Sequence, residues 1–290
     1  MFNLCIVLDW SAAAVPRQGP DSIWFAALAA DGTRLAWENP PTRGAAIERL
    51  AALIGGHPAA RVLLGCDFPF GYPAGTAAAL GLEGAPWRAM WRLLSSLVRD
   101  DDATNANNRF AVAADLNRRL SGGAFPFWGG PPAALGPFLG PRRPRPHGPG
   151  EPAARRLCEL RVPRTQGLWK LYTTGSVGGQ ALTGIPRIAA LRERLAGRAT
   201  VWPFETGLAA PDLPPGRVVL APVYPSLIDD RAVEHPVKDA RQVLALAERL
   251  RAAGASGELA RWLAGPSDLT PAERAAVEGE EGWILGVMEV

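Results

Sequence analysis

The sequence predicts an α/β fold, and three observations carry that prediction. Short apolar runs of strand length, such as "LCIVLD" at 4–9 and "VLLGC" at 62–66, alternate with segments of helical periodicity. An Asp31-Gly32 pair sits between two apolar runs, the commonest short hairpin signal. The chain has 290 residues, of which 48% are hydrophobic and 20% charged, enough for one large α/β domain or two small ones with a sizeable core.

The elements follow in order. Residues 3–9 read as a short buried strand ending in Asp9, followed by a turn through Pro16 and Pro20. "SIWFAALAADGTRLAWEN" reads as two strands joined at Asp31-Gly32. Thr42 caps a helix running to Ile54, with Ile47, Leu50, Leu53 and Ile54 on one face and Gly55-Gly56 as its stop. "ARVLLGCDFPFGYP" is a second buried strand that ends in Asp67 and is broken at once by Pro69, Gly71 and Pro73. Residues 86–99 are helical. The polar stretch "DDDATNANN" follows, then a helix in "RFAVAADLNRRL" with Asn108 as its cap. Gly and Pro dominate 121–152, which reads as an extended loop or insertion. "GLWKLYTTGSVGGQALTGIP" is a strand or irregular segment leading to a helix at 186–196. "ATVWPFETG" is a strand ending at Glu205, "GRVVLAPVYPSL" is another, and "VKDARQVLALAERLRAAG" is an amphipathic helix with Asp239 in its first turn. The expected organisation is a single domain over 1–290, with an insertion at approximately 86–170.

Several classes are excluded. No apolar run approaches the roughly 20 residues that span a bilayer, and no signal peptide is apparent, so a cytoplasmic protein without membrane contact is expected. Three cysteines without a CxxC pair, and three histidines, argue against a disulfide framework or a structural zinc site. There is no P-loop, no GxGxxG after the first strand and no G-x-S-x-G elbow.

The net charge of +3 is unevenly placed. Between Pro141 and Lys170, eight Arg and Lys residues face only Glu151 and Glu159, a local balance of +6. Two readings of this segment are open, a solvated basic loop and a surface that attracts phosphates through Arg142, Arg143, Arg145, Arg164 and Lys170. Trp128 in the same region either packs or stacks on a base. The Gly- and hydroxyl-rich "TTGSVGGQALTG" is either a close-packed turn or a cradle of amides for a phosphate. Ser11, two residues after Asp9, is a candidate substrate contact.

Asp9, Asp67 and Glu205 each end an apolar run, and functional groups of α/β sheets collect beyond strand ends. Each is also open to the plain reading of a polar strand terminus, and Asp239 to that of a helix-dipole partner. If the four converge, they repel unless a divalent ion joins them, and Mg²⁺ or Mn²⁺ suits carboxylate oxygens. Such an ion activates water and stabilises a phosphoryl transition state.

The strand ending in Asp9, the strand ending "CDFPFG", the late "FET" and the helix opening "KDARQVLALA" together resemble an RNase H-like fold. More narrowly, they resemble an uncharacterised bacterial family of predicted RNase H-like nucleases. "NNRFAVAADLNRRL", "LWKLYTTGSVGGQALTGIP" and "VWPFETG" are similar to a proteobacterial branch labelled as molybdopterin-guanine dinucleotide synthesis proteins. The resemblance implies an RNase H-like mixed sheet flanked by helices, with a Pro/Gly-rich, partly helical insertion. It also implies a metal site formed by Asp9, Asp67, Glu205 and Asp239, and a nucleic acid or nucleotide as partner. The segment 100–170 lies outside the shared pattern, so substrate choice does not transfer. Three functions stand at this point: a metal-dependent phosphodiester hydrolase, a nucleotide-processing protein of cofactor metabolism, and a non-catalytic binding module.

Overall fold

A computed structural model describes residues 2–162, 165–173 and 175–288. Six strands form one mixed sheet: β1 (Leu4–Asp9), β2 (Trp24–Ala29), β3 (Arg34–Glu38), β4 (Val62–Cys66), β5 (Ala199–Val201) and β6 (Val218–Pro222). Their spatial order is β3-β2-β1-β4-β6-β5. β2 is antiparallel to both neighbours, whereas β1, β4, β6 and β5 are mutually parallel. The C-terminal ends of four strands therefore open on one edge, where ligand crevices form in α/β sheets.

The strands separate two apolar layers by simple alternation. Leu4, Ile6 and Leu8 of β1 belong to one core with α1 (Arg43–Gly55), α3 (Pro86–Leu97), α4 (Arg109–Ser121) and α6 (Gly178–Arg194). Cys5 and Val7 belong to the other, with α7 (Lys238–Ser256) and α8 (Glu258–Ala264). The α/β class expected from the sequence, a mixed sheet flanked by helices, is the observed one. The short helices α2 (Thr76–Ala79), α5 (Leu157–Arg161) and α9 (Pro271–Ala276) complete the α-helices among the described residues. The helices of the 86–170 segment are not peripheral: Trp87, Met90, Leu94, Val112 and Leu116 are buried in the same core as β1.

Three local expectations are corrected. α6 begins at Gly178, eight residues before the expected start, and carries Pro186 in its interior. β5 stops at Val201, so Glu205 lies four residues beyond the strand. Asn108 sits at the start of α4, but its Oδ1 accepts from the Arg99 amide and its Nδ2 donates to the Leu97 carbonyl, tying α4 back to α3 instead of capping it. The three cysteines are free and buried. No helix among the described residues is long and apolar enough to cross a membrane.

Candidate functional site

β1 and β4 are neighbours in register, so their terminal acids emerge side by side. The Asp67 amide continues the pairing by donating to the Leu8 carbonyl at 2.8 Å. Each acid is followed by an aromatic residue that anchors it. Trp10 is buried, and its indole N–H donates to Thr183 Oγ1 at 3.1 Å. Phe68 is buried against Gly184, where a Cβ would lie 2.6 Å from the ring. Both anchors thus plug into the same turn of α6, and Gly184 is required by that close approach. The Gln180 side chain adds a third tie, donating to the Trp10 carbonyl at 2.5 Å. The motif "QALTGIP" in α6 therefore fixes the backbone on which Asp9 and Asp67 sit.

Both carboxylates are only partly exposed, and among the described residues no Arg or Lys forms an ion pair with either. Burial pushes Asp9 well above the usual carboxylate range, and the charges of Asp67 and Asp239 push it further. Burial, reinforced by the Asp239 charge, raises Asp67 to about 7. Asp239, in the first turn of α7, is raised by burial, while the Asp21 amide opposes that by donating to its Oδ2 at 2.7 Å. The three acids share one electrostatic environment, in which Lys238 and Arg17 act on Asp239 while Asp9 and Asp67 feel mainly burial and the charges of the other acids.

The fourth expected acid is elsewhere. Glu205 Oε2 accepts from the Val201 amide at 2.9 Å, and Oε1 takes Arg88 at 2.8 Å and Arg192 at 2.6 Å. It closes the end of β5 and is matched by two guanidiniums, so the expected four-acid set does not form. Asp21, not Glu205, joins Asp67 and Asp239 as the third charge acting on Asp9. It sits in the turn after β1 at φ 53°, a position that no apolar run marks in the sequence. Among the described residues, no three His, Cys, Asp or Glu side chains come close enough to hold one ion by themselves.

A cavity of about 300 Å³ opens beside Asp67, walled by Phe68, Pro69, Val223 and Tyr224, with Gln166 and Gln180 among its polar residues. Gln166 also borders a second depression, of about 560 Å³, lined by Arg142, Arg143, Arg155, Lys170 and Trp128. Lys170 Nζ lies 5.9 Å from the Trp128 ring centre. Arg145 is instead spent on Glu151 at 2.5 Å. Arg164 lies outside the described residues. Ser11 Oγ accepts from the Ala13 amide at 3.3 Å, a local turn contact. His235 accepts from the Val237 amide at 3.0 Å and packs on Trp24 and Trp37, a structural position.

Comparison with protein-family models, with curated proteins and with solved structures finds no match for this chain.

Proposed function

We propose that this protein is a divalent-metal-dependent phosphodiester hydrolase acting on a nucleic acid or nucleotide. The carrying observation is the pair Asp9 and Asp67, side by side at parallel strand ends, partly buried and without a described cation partner. Two carboxylates in that state are costly unless a proton or a metal ion neutralises them. The donor set is all oxygen, which fits Mg²⁺ or Mn²⁺. Mg²⁺ is commonly held by one or two carboxylates together with waters and substrate phosphates, so two acids suffice. Asp9 and Asp67 would hold the ion, with Asp239 at its margin. When bound, the ion supplies charge to a phosphoryl transition state and lowers the pKa of water.

The remaining parts fit the same reading. Trp10 and Phe68 keep the acids at fixed separation by locking both strand ends onto α6. Arg142, Arg143, Arg155 and Lys170 offer positive charge to a phosphate backbone, and Gln166 joins their depression to the cavity at Asp67. The strand order, with β2 alone reversed, is compatible with the RNase H-like arrangement that the resemblance implies. Free, buried thiols accord with a cytoplasmic setting.

The test is cleavage of single-stranded and duplex DNA and RNA, and of nucleotides, with Mn²⁺ or Mg²⁺. Asp9→Asn should lower metal-dependent cleavage by about 10²–10³-fold or more while leaving the fold intact. Normal cleavage by that variant overturns the reading. A second reading, nucleotide binding without hydrolysis, draws on one observation, the lack of three convergent ligand side chains among the described residues. Calorimetry with a nucleotide panel, with and without Mn²⁺, separates the two when no cleavage is found.

A further inference from the structure

The Gly-rich start of α6 poses a separate problem of charge. A helix of 17 residues presents unsatisfied amides and a partial positive charge at its N-terminus. Proteins ordinarily meet this with an acidic residue in the first turn or an Asp, Ser or Thr cap. α6 has neither: Val177 stands at the cap position and no acid lies in the first turn. The Gly178 amide donates to the Lys170 carbonyl at 3.0 Å, but the amides of Gly179 and Gln180 have no partner among the described residues.

A cation, not an anion, is packed there. Arg109 is only 9% exposed. Its Nε faces the first turn: a Cβ on Gly179 would lie 3.2 Å from that nitrogen and 3.3 Å from Arg109 Cδ. One guanidinium nitrogen donates to Asn107 Oδ1 at 2.8 Å, and the ring of Phe110 lies 4.2 Å from the guanidinium carbon. Among the described residues, Nε is buried without a hydrogen-bond partner. The nearby carboxylates are already taken, Asp100 by Arg43 and Arg187, and Asp102 by Arg187. Burial and the neighbouring charge of Arg43 push Arg109 down to about 10, so its charge is held at a cost.

We propose that the first turn of α6, whose Gly179 and Gln180 amides have no partner among the described residues, and the Arg109 guanidinium form a binding site for a phosphate group of a phosphorylated ligand. An anion there satisfies both amides, matches the helix dipole and adds to the counter-charge that Arg109 otherwise draws from Asp100, which Arg43 and Arg187 share. Glycine at 179 keeps the guanidinium against the helix. The site adjoins the acidic pair through the chain itself, because Ala12 packs on Gly179 and Gln180 holds the Trp10 carbonyl. Placing this phosphate next to the one cleaved at Asp9 and Asp67 rests on the hydrolase reading. The anion site itself does not.

The test is calorimetry with inorganic phosphate in EDTA, so that no metal-dependent event contributes. The wild type should bind phosphate saturably in the millimolar range or tighter. Arg109→Gln should weaken that binding by about tenfold or more, with an unfolding midpoint in phosphate-free buffer equal to or above the wild type. Gly179→Ala, whose Cβ crowds Arg109 Nε and Cδ without removing the guanidinium, should weaken binding as well. Asp9→Asn should bind phosphate at least as well as the wild type, even where it abolishes cleavage. Absence of phosphate binding by the wild type, or equal affinity in folded Arg109→Gln and Gly179→Ala, overturns the proposal. A failure of Mn²⁺-dependent cleavage with phosphate binding intact leaves this site standing and removes only the hydrolase reading.

Discussion

Asp67 and Glu205 look alike in the sequence, each an acid just past an apolar run, yet the fold treats them in opposite ways. Asp67 directly follows β4, which lies between β1 and β6, so its neighbours are the ends of other central strands. One of those ends carries Asp9, and among the described residues no arginine reaches the pair. Glu205 follows β5, the edge strand, where helices flank the chain. α3 and α6 deliver Arg88 and Arg192 to it. Burial alone does not distinguish a structural acid from a candidate catalytic one. What distinguishes them is whether the surrounding helices bring cations.

The largest expected effect removes a cation from an acid that has one. Arg43 is fully buried and bonds both oxygens of Asp100 as well as the carbonyls of Ser11 and Ala13. Arg43→Ala should cost about 3–5 kcal/mol in urea unfolding, because it leaves a buried carboxylate with only Arg187. A loss below about 1 kcal/mol would show that cations do not govern the cost of these acids, and the contrast between Asp67 and Glu205 would lose its basis.

The next effect has the opposite sign. An acid whose pKa is raised by folding prefers its neutral form in the folded state, so its contribution is most favourable below the ordinary carboxylate range. That contribution is lost as pH rises through the folded-state value, which for Asp67 is about 7. In metal-free buffer, Asp67→Asn should therefore match the wild type near pH 4 and exceed it by about 1–3 kcal/mol at pH 8. Unfolding midpoints measured across that range check it. A variant equally destabilised at every pH would place Asp67 with the structural acids.

The smallest effect is at Glu205. Glu205→Gln retains an acceptor for the Val201 amide but no longer balances Arg88 and Arg192, for a loss of about 1 kcal/mol. Any metal-dependent cleavage should persist in that variant. Its disappearance without a change in stability would return Glu205 to the acidic site.

Much of the fold was legible for simple reasons. "LCIVLD" and "VLLGC" are buried on both faces, so their apolar runs are continuous and their ends are marked by the first acid. Thr42 caps α1 as expected, accepting from the Ala45 amide. Glu205 was misplaced because "ATVWPFE" reads as one run, although pairing stops at Val201 and the chain turns through Trp202 and Pro203. The start of α6 is hidden in the sequence because Gly178 and Gly179 read as loop residues. Their purpose is close approach: a Cβ at Gly178 would lie 2.2 Å from the Leu168 carbonyl oxygen. Asp21 is unmarked in the sequence because its turn carries no periodic signal.

The sequence by itself determined the strands, the polar residues that terminate them and the α/β class, since hydrophobic alternation and turn chemistry are local. Only the tertiary structure decided which acid meets which cation. The partners are remote in sequence: Arg43 and Asp100 are 57 residues apart, and Arg88 and Glu205 are 117 apart. Pairing at such separations depends on how helices are laid across the sheet. It is that packing, absent from any local pattern, that gave Glu205 two arginines and left Asp9 and Asp67 side by side with no ion-pair partner among the described residues.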